Sequence, residues 1–131
     1  MSENPLVSVI VLNYNAGKLL LNCIESVKKS TYKHLEIIVV DNISTDKSQE
    51  TCKEKYPDIK LIQNDENFGY CEGNNIGIRE AEGDYIIILN PDTIVESNWI
   101  EELISAYNKF GEGLYQPKIL SLDKTEILQS T

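Results

Sequence analysis

Basic residues are scarce in this chain: 12 Lys and Arg stand against 21 Asp and Glu in 131 residues, a formal net charge of −9. The deficit deepens along the sequence, from 11 acids and 9 bases in residues 1–79 to 10 acids and 3 bases in residues 80–131. Such a surface repels a phosphate backbone, which excludes broad nucleic-acid binding. A compact phosphorylated ligand is still admitted where a metal ion or a few backbone N–H groups neutralise it. Cysteine is limited to Cys23, Cys52 and Cys71, an odd number at wide spacing with no C-x-x-C. That excludes a disulfide framework or a zinc site and points to a reducing cytosol. Histidine is limited to His34, ahead of a strand start, so no His-dependent triad can be assembled around it. Long apolar runs are missing too: the stretches at 7–12, 37–40 and 85–89 fall far short of the ~20 residues a membrane helix needs. Residues 1–5 lack the basic start of a signal peptide. The expectation is a cytoplasmic protein, at most peripheral to the inner face of the membrane. Neither the dinucleotide fingerprint G-x-G-x-x-G nor the P-loop pattern occurs.

What is present has the texture of a globular α/β domain, with 41% hydrophobic and 25% charged residues. The β-branched runs at 7–12, 36–40 and 85–89 read as strands buried on both faces of a parallel sheet; 59–62 is a shorter candidate and 113–120 a fifth. Between them, Leu20, Cys23, Ile24 and Val27 recur at helical spacing, as do Ile100, Leu103, Ile104 and Tyr107 behind a possible Ser97 N-cap. Residues 46–56 and 72–81 read as further helices, stopped by Pro57 and Gly83. The spacing of Gly69, Gly73 and Gly77 suits a helix lying close on a sheet, with Asn74 and Asn75 turned to a ligand edge or to solvent. The order predicts one domain over 1–131, a three-layer α/β sandwich with a mostly parallel sheet and right-handed crossovers.

Ligands bind such sheets beyond the carboxyl ends of the strands. There each strand is followed by a polar cluster: Asn13-Tyr14-Asn15, Asp41-Asn42, residues 64–67, and Asn90-Pro91-Asp92. Each alone is also ordinary turn chemistry. Asn13, Tyr14 and Asn15 offer amides beside an aromatic face, suited to a nucleobase, or else a turn in which Asn15 caps a helix at Gly17. Asp41 can accept hydrogen bonds from a base or ribose, or serve as a turn aspartate, with Ser44 or Thr45 capping the next helix. Pro91 sharpens the exit from its strand and leaves Asp92 at the edge, where magnesium or manganese commonly joins one carboxylate to substrate phosphates.

Four segments, taken together, resemble the N-terminal half of the inverting, nucleotide-sugar-dependent glycosyltransferases of the GT-A fold, most closely the rhamnosyltransferase-like branch. They are residues 7–15, residues 39–46, Asn67-Phe68-Gly69 with Asn74-Asn75-Ile76-Gly77, and residues 83–93. The resemblance implies a GT-A, Rossmann-like architecture and a nucleotide-sugar site made of Asn13, Tyr14, Asn15, Asp41, Asn42, Asn67, Gly69, Asn74, Asn90 and Asp92. In it, Tyr14, Asp41 and Asn42 contact the nucleoside, and Asp92 is the metal ligand of a D-x-D-type motif whose first position is here Asn90. The implied cofactor is Mg or Mn, and the implied acceptor is a saccharide or lipid-linked saccharide of polysaccharide biosynthesis. The family's general base, an acid worth about 10²–10⁴-fold in rate, lies downstream of that motif. No catalytic residue is therefore assigned within 1–131, and the chain is expected to bind the sugar donor but transfer it feebly, as a truncated or a naturally short form.

On the residues alone, a non-catalytic nucleotide-binding or regulatory module on the same fold is the alternative. A receiver-like phosphotransfer protein wants an acidic pair where Asn13 and Asn15 stand. A sugar nucleotidyltransferase wants a Gly-rich basic loop, which residues 13–18 do not form.

Overall fold

The computed structural model describes residues 4–111, 113, 119–120 and 127–129. It falls into two compact units, Met1–Ser97 and Asn98–Thr131. In the first, the β-branched runs become strands β1 (Val7–Asn13), β2 (Leu35–Asp41) and β4 (Tyr85–Leu89), with the short β3 (Lys60–Gln63). Helices α1 (Lys18–Lys28), α2 (Ser48–Lys55) and α3 (Gly69–Glu80) connect them. The strands are all parallel and lie in the order β3-β2-β1-β4. The chain thus steps outward from β1 to β3, then crosses back to β4 on the other side. With right-handed crossovers, that reversal puts α1 and α2 on one face and α3 on the other.

Side chains alternate between the two faces of a strand, and the packing follows that period. Ile10, Ile38 and Val40 are buried with Leu12, Ile62, Ile76 and Ile78 around them, which is the α3 face. Val7, Val9, Val11, Ile37 and Val39 are buried on the opposite face. The helix α3 can sit low because Gly73 and Gly77 face the sheet. A Cβ on Gly77 would come within 2.7 Å of Ile10 Cγ2 and 3.0 Å of Val40 Cγ2, and one on Gly73 within 2.6 Å of Leu12 Cδ1. Gly69 has no such neighbour; its φ of +82° instead starts the helix.

Several boundaries differ from expectation. The strand β4 is not buried on both faces: Ile86 and Ile88 are 44% and 45% exposed. It is an edge strand of this sheet, and α3 lies over β1 and β2 rather than over it. Gly83 is not a helix stop, since α3 already ends at Glu80. It is small because a Cβ there would lie 2.4 Å from Ser8 Oγ, to which its N–H donates at 2.8 Å. In the second unit, α4 (Trp99–Phe110) has Asn98 at its N-cap position rather than Ser97, and no side chain caps it. The expected strand at 113–120 is seen as β5 (Ile119–Leu120), paired antiparallel with an unexpected β6 (Ile127–Gln129); residues 112 and 114–118 lie outside the described residues. Among the described residues no helix is long and apolar enough to cross a membrane.

Candidate functional site

Parallel pairing carries all four carboxyl ends to one edge of the sheet. Asn13, Asp41 and Gln63 share one row there. The ladder runs on past the strands, with Asn42 N donating to Asn13 O and Asn64 N to Asp41 O, both at 2.9 Å. Because the side-chain period is two, the neighbours Asp41 and Asn42 leave opposite faces of the sheet. The sequence presents them as a pair; the strand gives them separate tasks.

Asp41 is wholly buried on the side of α2. Its Oδ1 accepts from Asn13 Nδ2 at 2.8 Å and Ser44 Oγ at 2.7 Å. Its Oδ2 accepts from Ser44 N and from Gln63 Nε2, each at 2.8 Å. An ionised carboxylate offers roughly four lone-pair sites, so these bonds fill it. Asn13, also wholly buried, reaches on to Ser48 Oγ at 2.9 Å. Of the residues expected to meet a nucleoside, Asp41 lies beneath the surface together with Asn13, and its hydrogen bonds are those of a turn aspartate. Asn42, on the other face, donates to Gly69 O at 3.2 Å and accepts from Asn64 Nδ2 at 2.9 Å. It ties the start of α3 to the sheet edge.

The first two loops are stitched together. Asn15, at φ +52°, accepts from Thr45 N at 2.7 Å and Asp46 N at 3.2 Å, while its own N–H donates to Ser44 Oγ at 2.8 Å. It does not cap α1, whose N-cap position is Gly17. Gly17 N instead donates to Asp46 Oδ2 at 2.9 Å. The Ser48 hydroxyl, with the N–H groups of Ser48 and Gly17, holds the Asp46 carboxyl below its ordinary range. Neither Ser44 nor Thr45 caps α2, whose N-cap position is Lys47.

Above this floor stand exposed apolar groups: Tyr14, Ile43, Phe68 and Tyr70. Only Tyr14 was expected; the signal for the others is an apolar residue in an otherwise polar loop. Asn67 Oδ1 accepts from Gly69 N at 2.9 Å at the start of α3. Asn74 is buried, its amide donating to Tyr70 O at 3.1 Å, and its Oδ1 has no partner among the described residues. Asn75 faces solvent.

After β4, the carbonyl of Asn90 accepts from Thr93 N at 3.2 Å, Thr93 Oγ1 at 2.7 Å and the Cys23 thiol at 3.7 Å. Farther along, Val95 N donates to Ser26 Oγ at 3.2 Å. These bonds pin the turn against α1 and leave the side chains of Asn90 and Asp92 exposed. Burial pushes the Cys23 thiol up to about 12, so it stays protonated and serves as a donor. No three His, Cys, Asp or Glu residues cluster among the described residues. One exposed carboxylate does not make a zinc or calcium cage. It does suit Mg or Mn, which keep waters and lean on substrate phosphates. His34 lies at the opposite edge, its Nδ1 2.7 Å from Asn4 O.

A model of the family described as glycosyl transferase family 2 matches residues 8–125. The chain belongs to glycosyl transferase family 2. Within family 2 it is 42% identical over 106 residues to the glycosyltransferase GlyG of Streptococcus pneumoniae, matching 79% of this chain and 35% of GlyG. It therefore spans about a third of that relative's length. Among solved structures, the mannosyltransferase PcManGT of Pyrobaculum calidifontis, in complex with GDP-Man and Mn2+, superposes with a TM-score of 0.74 at 25% identity, covering 81% of this chain and 33% of that one. TarS 1-349 of S. aureus, in complex with UDP-GlcNAc, superposes with a TM-score of 0.72 at 23% identity, covering 90% and 41%. The parallel sheet with helices on both faces is thus the GT-A architecture of the family.

Proposed function

We propose that this domain holds the sugar donor, a nucleoside-diphosphate sugar, for an inverting transfer to an acceptor hydroxyl, in the manner of the rhamnosyltransferase-like branch of family 2. The observation that carries the reading is the convergence of four polar strand ends on one edge of a parallel sheet, with Asp92 exposed on a pinned turn. The nucleotide complexes of PcManGT and TarS support it. Asn13 and Asp41 act as supports under one face of the floor, and Asn42, Asn64 and Asn74, buried with their amide N–H groups bonded inside the protein, brace the other. Tyr14 gives the nucleobase an aromatic face, Asn15, Asn67 and Gly69 shape the rim, and Asn90 and Asp92 face the diphosphate. A divalent cation, when bound, neutralises charge on the leaving diphosphate. Asp92 is the one carboxylate of the turn, so it supplies the principal protein oxygen to that ion, with Asn90 as a neutral neighbour. The acceptor hydroxyl requires a base to take its proton, and this reading assigns that base to no residue of the chain.

Titration of manganese with and without uridine, thymidine or guanosine diphosphate tests the proposal. Metal and nucleotide should tighten one another's binding by equal factors, because coupling is reciprocal. Asp92→Asn should abolish the coupling while sparing most metal-free nucleotide affinity, and Asn90→Asp should strengthen metal binding. Silence of the folded domain across all three nucleotides removes the sugar-donor site; coupling that survives Asp92→Asn places the metal elsewhere.

A further inference from the structure

Among the described residues, three other than glycine adopt positive φ, Asn15 (+52°), Ile43 (+57°) and Lys47 (+65°), and all lie in the two loops that follow β1 and β2. Asparagine visits this region readily, whereas a β-branched residue there is a true outlier. The cause at Ile43 is visible on either side of it. Asn42 is fixed by its bonds to Gly69 O and Asn64 Nδ2, and Ser44 by its backbone and hydroxyl bonds to Asp41. With both neighbours anchored, the backbone at position 43 is set before the side chain is chosen. Glycine or asparagine would occupy that conformation at lower cost.

Isoleucine gains little by packing in return, because 45% of it is exposed. Tyr14 occupies the adjoining strand tip and is 54% exposed, and the ladder joins the two tips through Asn42 N and Asn13 O. Two exposed apolar residues thus lie in adjoining loops at the edge that also carries the buried amides of Asn13 and Asn42. Strain held in place by its surroundings and not repaid by burial is a mark of a ligand site.

We infer that Ile43 is a specificity-determining contact for the nucleoside: its side chain forms an aliphatic wall beside Tyr14, and the strained backbone is retained because it holds that wall in place. The inference rests on the proposed sugar-donor site and adds a residue to it. The phosphate-bearing end at Asp92 takes no part, so the wall acts on the base and ribose alone.

Two substitutions separate the side chain from the backbone. Ile43→Ala removes the wall and keeps a residue with a Cβ; Ile43→Asn removes the wall and suits the left-handed backbone. Calorimetry with whichever nucleoside diphosphate binds the wild-type chain should show affinity reduced about tenfold in both. Metal-nucleotide coupling should be unchanged in both, and the thermal midpoint of the ligand-free protein should rise in Ile43→Asn. Wild-type affinity in both variants, with the wild-type chain binding normally, overturns the role of Ile43 and leaves the sugar-donor site standing. A loss of metal coupling along with affinity also overturns it, since the residue would then be acting through the turn at Asp92. A wild-type chain that binds no nucleotide removes the sugar-donor site and this inference together.

Discussion

Replacing Asp41 with alanine should destabilise the domain rather than merely weaken a ligand contact. The side chain is wholly buried and accepts four hydrogen bonds, from Asn13, Gln63 and twice from Ser44. In Asp41→Ala, Asn13 Nδ2 keeps Ser48 Oγ at 2.9 Å, and the donors of Ser44 and Gln63 lie toward the edge, where water can reach them. The full penalty for a buried orphan, roughly 1–3 kcal/mol, then falls on at most one donor, taken here as the half-buried Ser44 N–H, and the other three bonds are lost at about 0.5–1.5 kcal/mol each. A total of about 2.5–7.5 kcal/mol is expected, a large part of the 5–15 kcal/mol or so that holds a typical domain together. Asp41→Asn keeps the shape and loses less, about 1–2 kcal/mol, because the Ser44 hydroxyl can turn from donor to acceptor. Urea unfolding followed by circular dichroism measures both, and calorimetry on the folded Asp41→Asn protein should find nucleotide affinity within about threefold of wild type. A stability for Asp41→Ala within about 0.5 kcal/mol of wild type would refute the buried-acceptor role. So would an Asp41→Asn protein of near-native stability that no longer binds nucleotide, since that would make the carboxylate a ligand contact.

Gly77→Ala should cost about 1–3 kcal/mol by overpacking, since its Cβ would press on Ile10 and Val40 and lift α3 from the sheet; a urea midpoint equal to wild type would show that the helix can yield there. In the native protein, a thiol reagent at pH 8 should modify Cys71 and spare Cys23 and Cys52, which are buried and have thiols raised to about 12 and about 11; rapid reaction at more than one site would contradict that burial. Asp46 has a lowered pKa when folded, so the stability it contributes is present above its unfolded value of 3.8 and is lost as pH falls through the folded value. Thermal midpoints of wild type and Asp46→Asn should therefore differ slightly at pH 6 and converge below pH ~4, and a gap that widens in acid would reverse the sign.

The central strands were legible because β-branched runs have few other uses: residues 7–12 and 36–40 fall within β1 and β2. The convergence of the polar clusters followed from the βα order alone. What the sequence could not display was register. Gln63 bonds to Asp41 only because β3 pairs with β2 so that the two residues stand opposite one another, and nothing local to either residue announces it. The same holds for the parting of Asp41 from Asn42, which look like one motif until the pleat sends them to different faces. The exposure of Ile86 and Ile88 was hidden for a related reason, since an apolar run does not say which of its faces a helix will cover. At Gly83 a tertiary contact with Ser8 replaced the local role of helix stop.

Asn15 and Asp46 fasten the first two loops to each other through protein groups alone, so the edge proposed to hold the sugar donor should be preorganised. A site competent only part of the time has its apparent affinity reduced by that fraction; loops held this way should keep that reduction small. Association should accordingly be a single encounter with a finished surface, with no slow ordering phase. Its rate should be limited by the repulsion between an anionic nucleotide and a chain of net charge −9. Added salt, which screens such repulsion, should speed the encounter.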